Sequence, residues 1–154
     1  LAEVDEALKN YRKEFPSLKG MKPEWGGFVW FQGWNDMFDQ DALAQYEQNL
    51  VHLIKDLRVH LKQPNLPVVV GELGNMGEEA GKNMKTIREA QRKASERKEW
   101  KGRVSFVQTT AFARPKEESP NVGHGHHWFG NAESYFLIGD ALGAEMVRLL
   151  KKKK

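Results

Sequence analysis

Residues 29–36, Val-Trp-Phe-Gln-Gly-Trp-Asn-Asp, place two hydrogen-bond donors directly after a short apolar run. The backbone N–H of Gly33 and the side-chain amide of Asn35 can face one atom of a bound ligand. Acyl transfer needs such a pair, because negative charge develops on the carbonyl oxygen in the transition state. The same residues also fit a tight turn that requires glycine, followed by an Asn or Asp such as Asp36 that starts a helix. Spacing alone leaves both interpretations open.

Three of the five histidines, His124, His126 and His127, occur within four positions of one glycine-flanked loop. An imidazole with a near-neutral pKa serves as a general base when an acceptor orients its other nitrogen. The same cluster could chelate Zn or Ni, or consist of ordinary hydrogen-bonded loop histidines. Because no clear carboxylate partner accompanies it, metal binding is kept as an alternative only. His52 and His60 fall on a predicted helix, and both are expected at the surface.

Glu72 follows a wholly apolar run at residues 66–71, which predicts a carboxylate partly buried at the end of a strand. A carboxylate in that position caps backbone amides, pairs with a base or orients a catalytic histidine. The sequence does not choose among these three roles.

The spacing of apolar residues predicts the elements that must position these groups. Repeats of three and four residues predict helices at 1–15, 39–63, 78–100 and 131–150, the third of them polar and exposed. Short apolar runs predict strands at 27–32, 66–71 and 104–109. This alternation predicts a parallel sheet between helices, with right-handed crossovers. Ligands bind beyond the carboxyl ends of such strands, so Gly33, Glu72 and the histidine loop are expected on one rim.

Composition indicates one soluble globular domain over residues 1–154, with 40% hydrophobic and 29% charged residues. No apolar run approaches the roughly 20 residues that cross a bilayer, so no membrane partner is expected. The net charge of +3 comes largely from four lysines at 151–154, expected to be a solvated tail. The sequence has no stripe of basic residues interleaved with aromatic ones, so nucleic-acid binding is not expected. The absence of Cys excludes disulfides and thiolate catalysis but leaves the compartment open.

Three segments together resemble the SGNH-hydrolase superfamily, and most of all its sialate O-acetylesterase branch, related to carbohydrate esterase family six. Residues 31–36 are similar to the Gly-x-Asn-Asp block of that superfamily, preceded by an aromatic residue and Gln. Residues 69–74 are similar to the strand end that follows. Residues 125–133, with Tyr135 and residues 138–141, resemble the C-terminal histidine block and last helix.

The resemblance implies a three-layer α/β/α sandwich with a parallel sheet, flavodoxin-like, that removes acetyl groups from sugars without a cofactor. It implies that Asn35 donates to the oxyanion and that His127 is the general base. Gly33 N–H, the second donor expected from the residues themselves, would share the oxyanion role with Asn35. A small-molecule or carbohydrate ester is the implied substrate. Neighbouring side chains are then expected to line the substrate site: Gln32, Trp34, Asp36, His124, His126 and Trp128.

Two features depart from the family pattern. The Gly-x-Ser block that carries the nucleophile and the following block with its Gly are missing, so the chain looks like the C-terminal part of such a hydrolase. All five serines occur in other contexts: Ser17, Ser95, Ser105, Ser119 and Ser134. The triad acid commonly lies three residues before the histidine, where this chain has His124. The acid is therefore absent, is replaced by another residue, for which Glu72 is the candidate, or the alignment is off by one residue.

Three hypotheses follow from this combination of motifs. The first is an ester hydrolase, weakly active on short-chain or aryl esters, whose nucleophile is an activated water, an unconventional residue, or a residue of a second chain. The second is a non-catalytic carbohydrate-binding or remnant module, and the third is a metal site in the histidine loop. A sheet that lacks its first strands also exposes an edge, which predicts a possible homodimer.

Overall fold

The computed structural model describes residues 1–151, and the alternation predicted from the sequence is confirmed over this range. The elements follow in the order α1 (Ala2–Glu14), β1 (Phe28–Trp30), α2 (Gln40–His60), β2 (Val68–Gly71), α3 (Lys82–Ser95), β3 (Val104–Val107) and α4 (Ala132–Lys151). Short 3-10 turns occupy parts of the connecting loops. The expectation of a solvated lysine tail falls mainly on residues 152–154, which lie outside the described residues.

The three strands form one parallel sheet in the order β1-β2-β3. Val69 is aligned with Val29 on one side and with Ser105 on the other. Residues 68–70 of the central strand are fully buried. This burial explains the uninterrupted valine run, because a strand covered on both faces needs no polar alternation.

Helices cover both faces of this sheet, which confirms the predicted three-layer α/β/α architecture. On one face α2 and α3 pack against Val68, Val70 and Val104 in the larger apolar core. On the other face α4 packs against Val69 through a smaller core of its own. Because the strands are parallel, all three carboxyl ends lie at the same edge of the sheet.

The helix predicted at 78–100 is shorter and more buried than expected. It begins after Gly81 and ends at Ser95, and a separate 3-10 turn follows at Lys98–Trp100. Its polar side chains Arg88 and Gln91 are buried. Both make hydrogen bonds to backbone groups of the loops at the carboxyl ends of the strands. These partners are distant in sequence, so the local spacing of apolar residues cannot predict them. The prediction of an exposed helix was therefore wrong.

Side-chain caps fix where two other helices begin. Asp39 accepts a hydrogen bond from Ala42 N at 2.8 Å and caps α2. Asn131 accepts from Ser134 N at 3.1 Å at the start of α4. Within residues 1–151 no helix is both long and apolar enough to cross a membrane.

Candidate active site

A cavity of about 510 Å³ opens at the carboxyl ends of β1 and β2. It brings the segment after β1 together with the histidine loop, as predicted from the carboxyl ends of parallel strands. Eleven residues line it: Phe31, Gln32, Gly33, Trp34, Asn35, Leu73, Asn75, His126, His127, Trp128 and Tyr135. Four of these lining residues were not predicted from the sequence: Phe31, Leu73, Asn75 and Tyr135.

Gly33 occupies a position that only glycine fits. Its φ is +154°, and a Cβ built there would lie 2.8 Å from Cγ2 of Ile87 and 3.3 Å from the hydroxyl of Tyr46. Its backbone N–H has no acceptor among residues 1–151. The turn role is therefore real, and it leaves an unpaired donor at the cavity.

A buried hydrogen-bond network fixes the backbone just before Gly33. The Tyr46 hydroxyl donates to Gln32 O at 2.6 Å and accepts from Trp30 Nε1 at 3.1 Å. The fully buried Gln91 donates to Gln32 O at 2.9 Å and accepts from Leu73 N at 2.8 Å. Burial raises the pKa of Tyr46, so its hydroxyl keeps its proton as a donor. The network joins the ends of β1 and β2 and sets the direction of the next peptide.

The Asn35 side chain is exposed and makes no hydrogen bond to the rest of the described chain. It starts the 3-10 turn Asn35–Phe38. The neighbouring carboxylate of Asp36 accepts from Gln32 Nε2 at 2.6 Å. Helix α2 is capped by Asp39, so capping does not explain Asn35. Its amide stays available to a ligand.

The histidine loop carries backbone strain where it meets the cavity. Trp128 and Phe129 have φ values of 50° and 53°, in the left-handed region. That conformation costs roughly 1–2 kcal/mol for each residue other than glycine. Hydrogen bonds from the backbone N–H groups of His127 and Phe129 to His124 O hold the turn, at 2.9 and 3.0 Å. Trp128 is buried and stacks on Phe31 with ring centroids 6.2 Å apart.

The three imidazoles of this loop lie together. The ring of His126 has its centroid 4.2 Å from that of His127 and 5.2 Å from that of His124. Desolvation by the neighbouring groups, followed by the proximity of the His127 and His124 imidazoles, lowers the pKa of His126 and so favours its neutral form. No set of three His, Cys, Asp or Glu side chains in the described range is placed to hold a metal ion, which weighs against the metal alternative.

Asn75 ties the histidine loop to the end of β2. Its buried side-chain Nδ2 donates to Gly125 O at 3.0 Å and to His126 O at 3.2 Å. Arg88 holds the other side of the same backbone, donating to Leu73 O at 2.7 Å and to Asn75 O at 2.8 Å. Burial lowers the pKa of Arg88, and the nearby carboxylates of Glu72 and Glu78 oppose this effect. The available sequence signal for this role was an Asn four residues after the end of the buried strand β2.

Glu72 lies outside the cavity. Its Oε2 accepts hydrogen bonds from Thr109 N at 2.8 Å, Thr110 N at 2.9 Å and Thr110 Oγ1 at 2.8 Å. No hydrogen bond or ion pair joins it to His127 within residues 1–151. Of the roles considered for Glu72, the structure shows the amide cap, and it does not bring the carboxylate to the histidine.

None of the five serines lines the cavity. Ser95, Ser119 and Ser134 donate to backbone carbonyls elsewhere, and Ser105 on β3 donates to Glu145. Tyr135 supplies the only hydroxyl among the described residues that line the cavity. His52 and His60 are exposed on α2, as predicted.

A protein-family model described as carbohydrate esterase, sialic acid-specific acetylesterase, matches residues 5–146. The chain belongs to this carbohydrate esterase family. Membership confirms the resemblance drawn from the three sequence segments and places the chain, in general terms, among ester hydrolases. Searches of curated proteins and of solved structures found no significant match. The roles of individual residues in this carbohydrate esterase therefore rest on the geometry of the cavity.

Proposed function

We propose that this carbohydrate esterase hydrolyses acetyl esters of sugars in the cavity at the end of β1. Gly33 N–H and Asn35 Nδ2 donate to the developing oxyanion, and His127 is the general base. The observation that carries the proposal is the meeting of two unpaired donors and an imidazole in one cavity. Such donors act strongly because they are already in place when charge develops.

The reaction balances with water as nucleophile. His127 takes a proton from a water molecule as the water oxygen attacks the acetyl carbon, and the carbonyl oxygen becomes the oxyanion. As the intermediate collapses, the bond to the sugar oxygen breaks and the imidazolium returns its proton to that oxygen. The products are the free sugar hydroxyl and acetic acid, which releases its proton to solvent and becomes acetate. A serine supplied by a second chain would be activated by His127 in the same way.

The other residues that were predicted to contact the substrate fall into three groups, according to where the structure places them. Trp34, His126 and Gln32 line the cavity and are proposed to hold the sugar. Trp128 is buried against Phe31 and so forms a wall. Asp36 and His124 lie beside the cavity and support these side chains: Asp36 accepts from Gln32, and His124 contacts His126.

Hydrolysis of p-nitrophenyl acetate and of an O-acetylated monosaccharide tests the proposal. Asn35→Ala should lower kcat about 10²–10³-fold, the usual effect of losing one oxyanion donor. His127→Ala should lower kcat about 10²–10⁴-fold, the usual effect of losing a general base. His52→Ala, at an exposed position on α2, is the matched control and should change kcat for neither substrate. Full activity in both site variants would contradict the proposal.

Labelling by a fluorophosphonate separates the two nucleophiles. Hydrolysis without a label on this chain supports activated water, because the reagent marks only an activated hydroxyl. A labelled serine in the purified chain would contradict the absence of serine from the cavity.

A non-catalytic carbohydrate-binding module is the second candidate, favoured by the absence of serine from the described cavity lining. It predicts that deacetylated sugar binds and that Trp34→Ala weakens this binding. It also predicts that no hydrolysis is lost in Asn35→Ala or His127→Ala, because none was present.

A further inference from the structure

Three aromatic side chains form a row that runs out of the cavity: His126, Trp34 and Phe38. We call it the aromatic row. The centroids of His126 and Trp34 are 5.8 Å apart, and those of Trp34 and Phe38 are 6.0 Å apart. His126 and Trp34 line the cavity, whereas Phe38 lies beyond it. The row therefore offers ring-sized contact positions both inside and outside the cavity.

Phe38 is the exposed end of this row. It closes the 3-10 turn Asn35–Phe38, and 69% of its surface is exposed. Its neighbour in the turn, Met37, is buried in the larger core and anchors the segment. The Asn83 side chain donates to Met37 O at 2.9 Å and fixes the same backbone. The exposed ring of Phe38 is thus held on a fixed turn next to the cavity.

Polar groups accompany the row on its own segment. Gln32 donates to Asp36 at 2.6 Å, and both residues flank Trp34 in the chain. A sugar ring presents an apolar C–H face and a rim of hydroxyls, so it needs flat aromatic surface with polar groups beside it. Binding sites combine apolar and aromatic lining with a few polar groups in this way. The combination favours a sugar over a purely aromatic ligand.

We propose that the aromatic row is a second sugar subsite, in which Phe38 stacks on the ring next to the acetylated one. The esterase then prefers an acetylated disaccharide to the corresponding monosaccharide. The inference rests on the proposed function for the position of the acetyl group. Phe38 acts in binding only, because it lies outside the cavity that holds the ester.

Kinetics on a matched substrate pair test the subsite. The pair is an acetylated monosaccharide and a disaccharide that carries the same acetylated ring. Phe38→Ala should lower kcat/KM for the disaccharide by about five- to tenfold, as expected for the loss of one ring contact. It should leave kcat/KM for the monosaccharide unchanged. Phe38→Trp should keep the preference, whereas Phe38→Leu should lose it, because leucine keeps apolar area but has no flat face.

Val59→Ala is the matched control. Val59 is 78% exposed on α2 and lies away from the cavity, so its truncation should affect neither substrate. Equal losses on both substrates in Phe38→Ala, or no loss on either, would overturn the subsite.

Binding without hydrolysis separates this inference from the proposed reaction. The unacetylated disaccharide is titrated into the protein while the indole N–H resonance of Trp34 is followed by NMR. Binding that weakens in Phe38→Ala but not in Val59→Ala supports the subsite even if no ester is hydrolysed. Absence of disaccharide binding, or binding indifferent to Phe38, overturns it whatever the esterase activity.

Discussion

Replacing Gly33 with alanine should damage stability and activity together, for reasons that the structure makes quantitative. The new Cβ would lie 2.8 Å from Cγ2 of Ile87, which is closer than real Cβ contacts. Overpacking of this kind costs about 1–3 kcal/mol. A side chain at φ +154° adds about 1–3 kcal/mol of backbone strain. Together these two terms predict a loss of about 2–6 kcal/mol in the free energy of unfolding.

The same substitution should move the donor. Relief of the clash with Ile87 shifts the peptide at Gly33, and loss of one oxyanion donor lowers kcat by about 10²–10³. Urea unfolding gives the stability, and hydrolysis of p-nitrophenyl acetate below the transition gives the rate. Gly139→Ala is the control, because no atom lies within 4 Å of its Cβ position in α4. It should stabilise the protein by about 0.5–1 kcal/mol and leave the rate unchanged.

A double-mutant cycle tests the stated cause. In an Ile87→Ala background the contact is absent, so Gly33→Ala should cost less than in the natural chain. Equal costs in the two backgrounds would refute the packing argument. A Gly33→Ala variant that is less stable but fully active would refute the donor role while leaving the packing argument intact.

Four further changes have defined outcomes. Asp39→Ala removes the cap of α2 and should cost about 1 kcal/mol in urea unfolding, without changing the rate of hydrolysis. Glu72→Ala leaves the amides of residues 109 and 110 unpaired and should cost about 2–4 kcal/mol, against no change for the exposed Glu117→Ala. Because the pKa of His126 is lowered in the folded state, the unfolded chain binds more protons just below pH 6.5. The free energy of unfolding should therefore decrease as the pH is lowered through this range, and it should decrease less in His126→Gln. We propose that two copies pair through the exposed edge of β1. Light scattering should then show a dimer, and Val29→Lys should convert it to a monomer. A monomeric natural chain would refute this pairing.

The order of elements could be predicted because local apolar spacing carries it. The valine run of β2 and the apolar repeat of α2 consist of the same residues that are buried in the structure, so each pattern predicts its element directly. The bounds of α3 could not be predicted in the same way. Arg88 and Gln91 are polar, and their burial depends on loop carbonyls and amides 11 or more positions away. Periodicity counts such residues as solvent-facing.

The site was predictable where one segment carries both the chemistry and its turn. Gly33 and Asn35 lie in one segment. The expectation that ligands bind beyond the carboxyl ends of parallel strands correctly placed this segment beside the histidine loop. The partners of Glu72 and Asn75 depend instead on how distant segments meet. The contact of Glu72 with Thr109 requires the register of β2 against β3, which no local pattern encodes. Asn75 acts through a loop 50 positions later.

The placement of the donors does not depend on which nucleophile attacks. Gln32 O is held by Tyr46 and Gln91, so the Gly33 peptide keeps its direction in the absence of any ligand. Oxyanion stabilisation and binding alone leave about 10³–10⁴-fold acceleration in serine hydrolases that have lost their catalytic residues. An activated ester, whose leaving group needs no proton, should therefore be hydrolysed at a measurable rate by the donors and His127 with water. A sugar acetate has a poorer leaving group, which needs a proton as it departs, so the same groups should hydrolyse it more slowly than the activated ester.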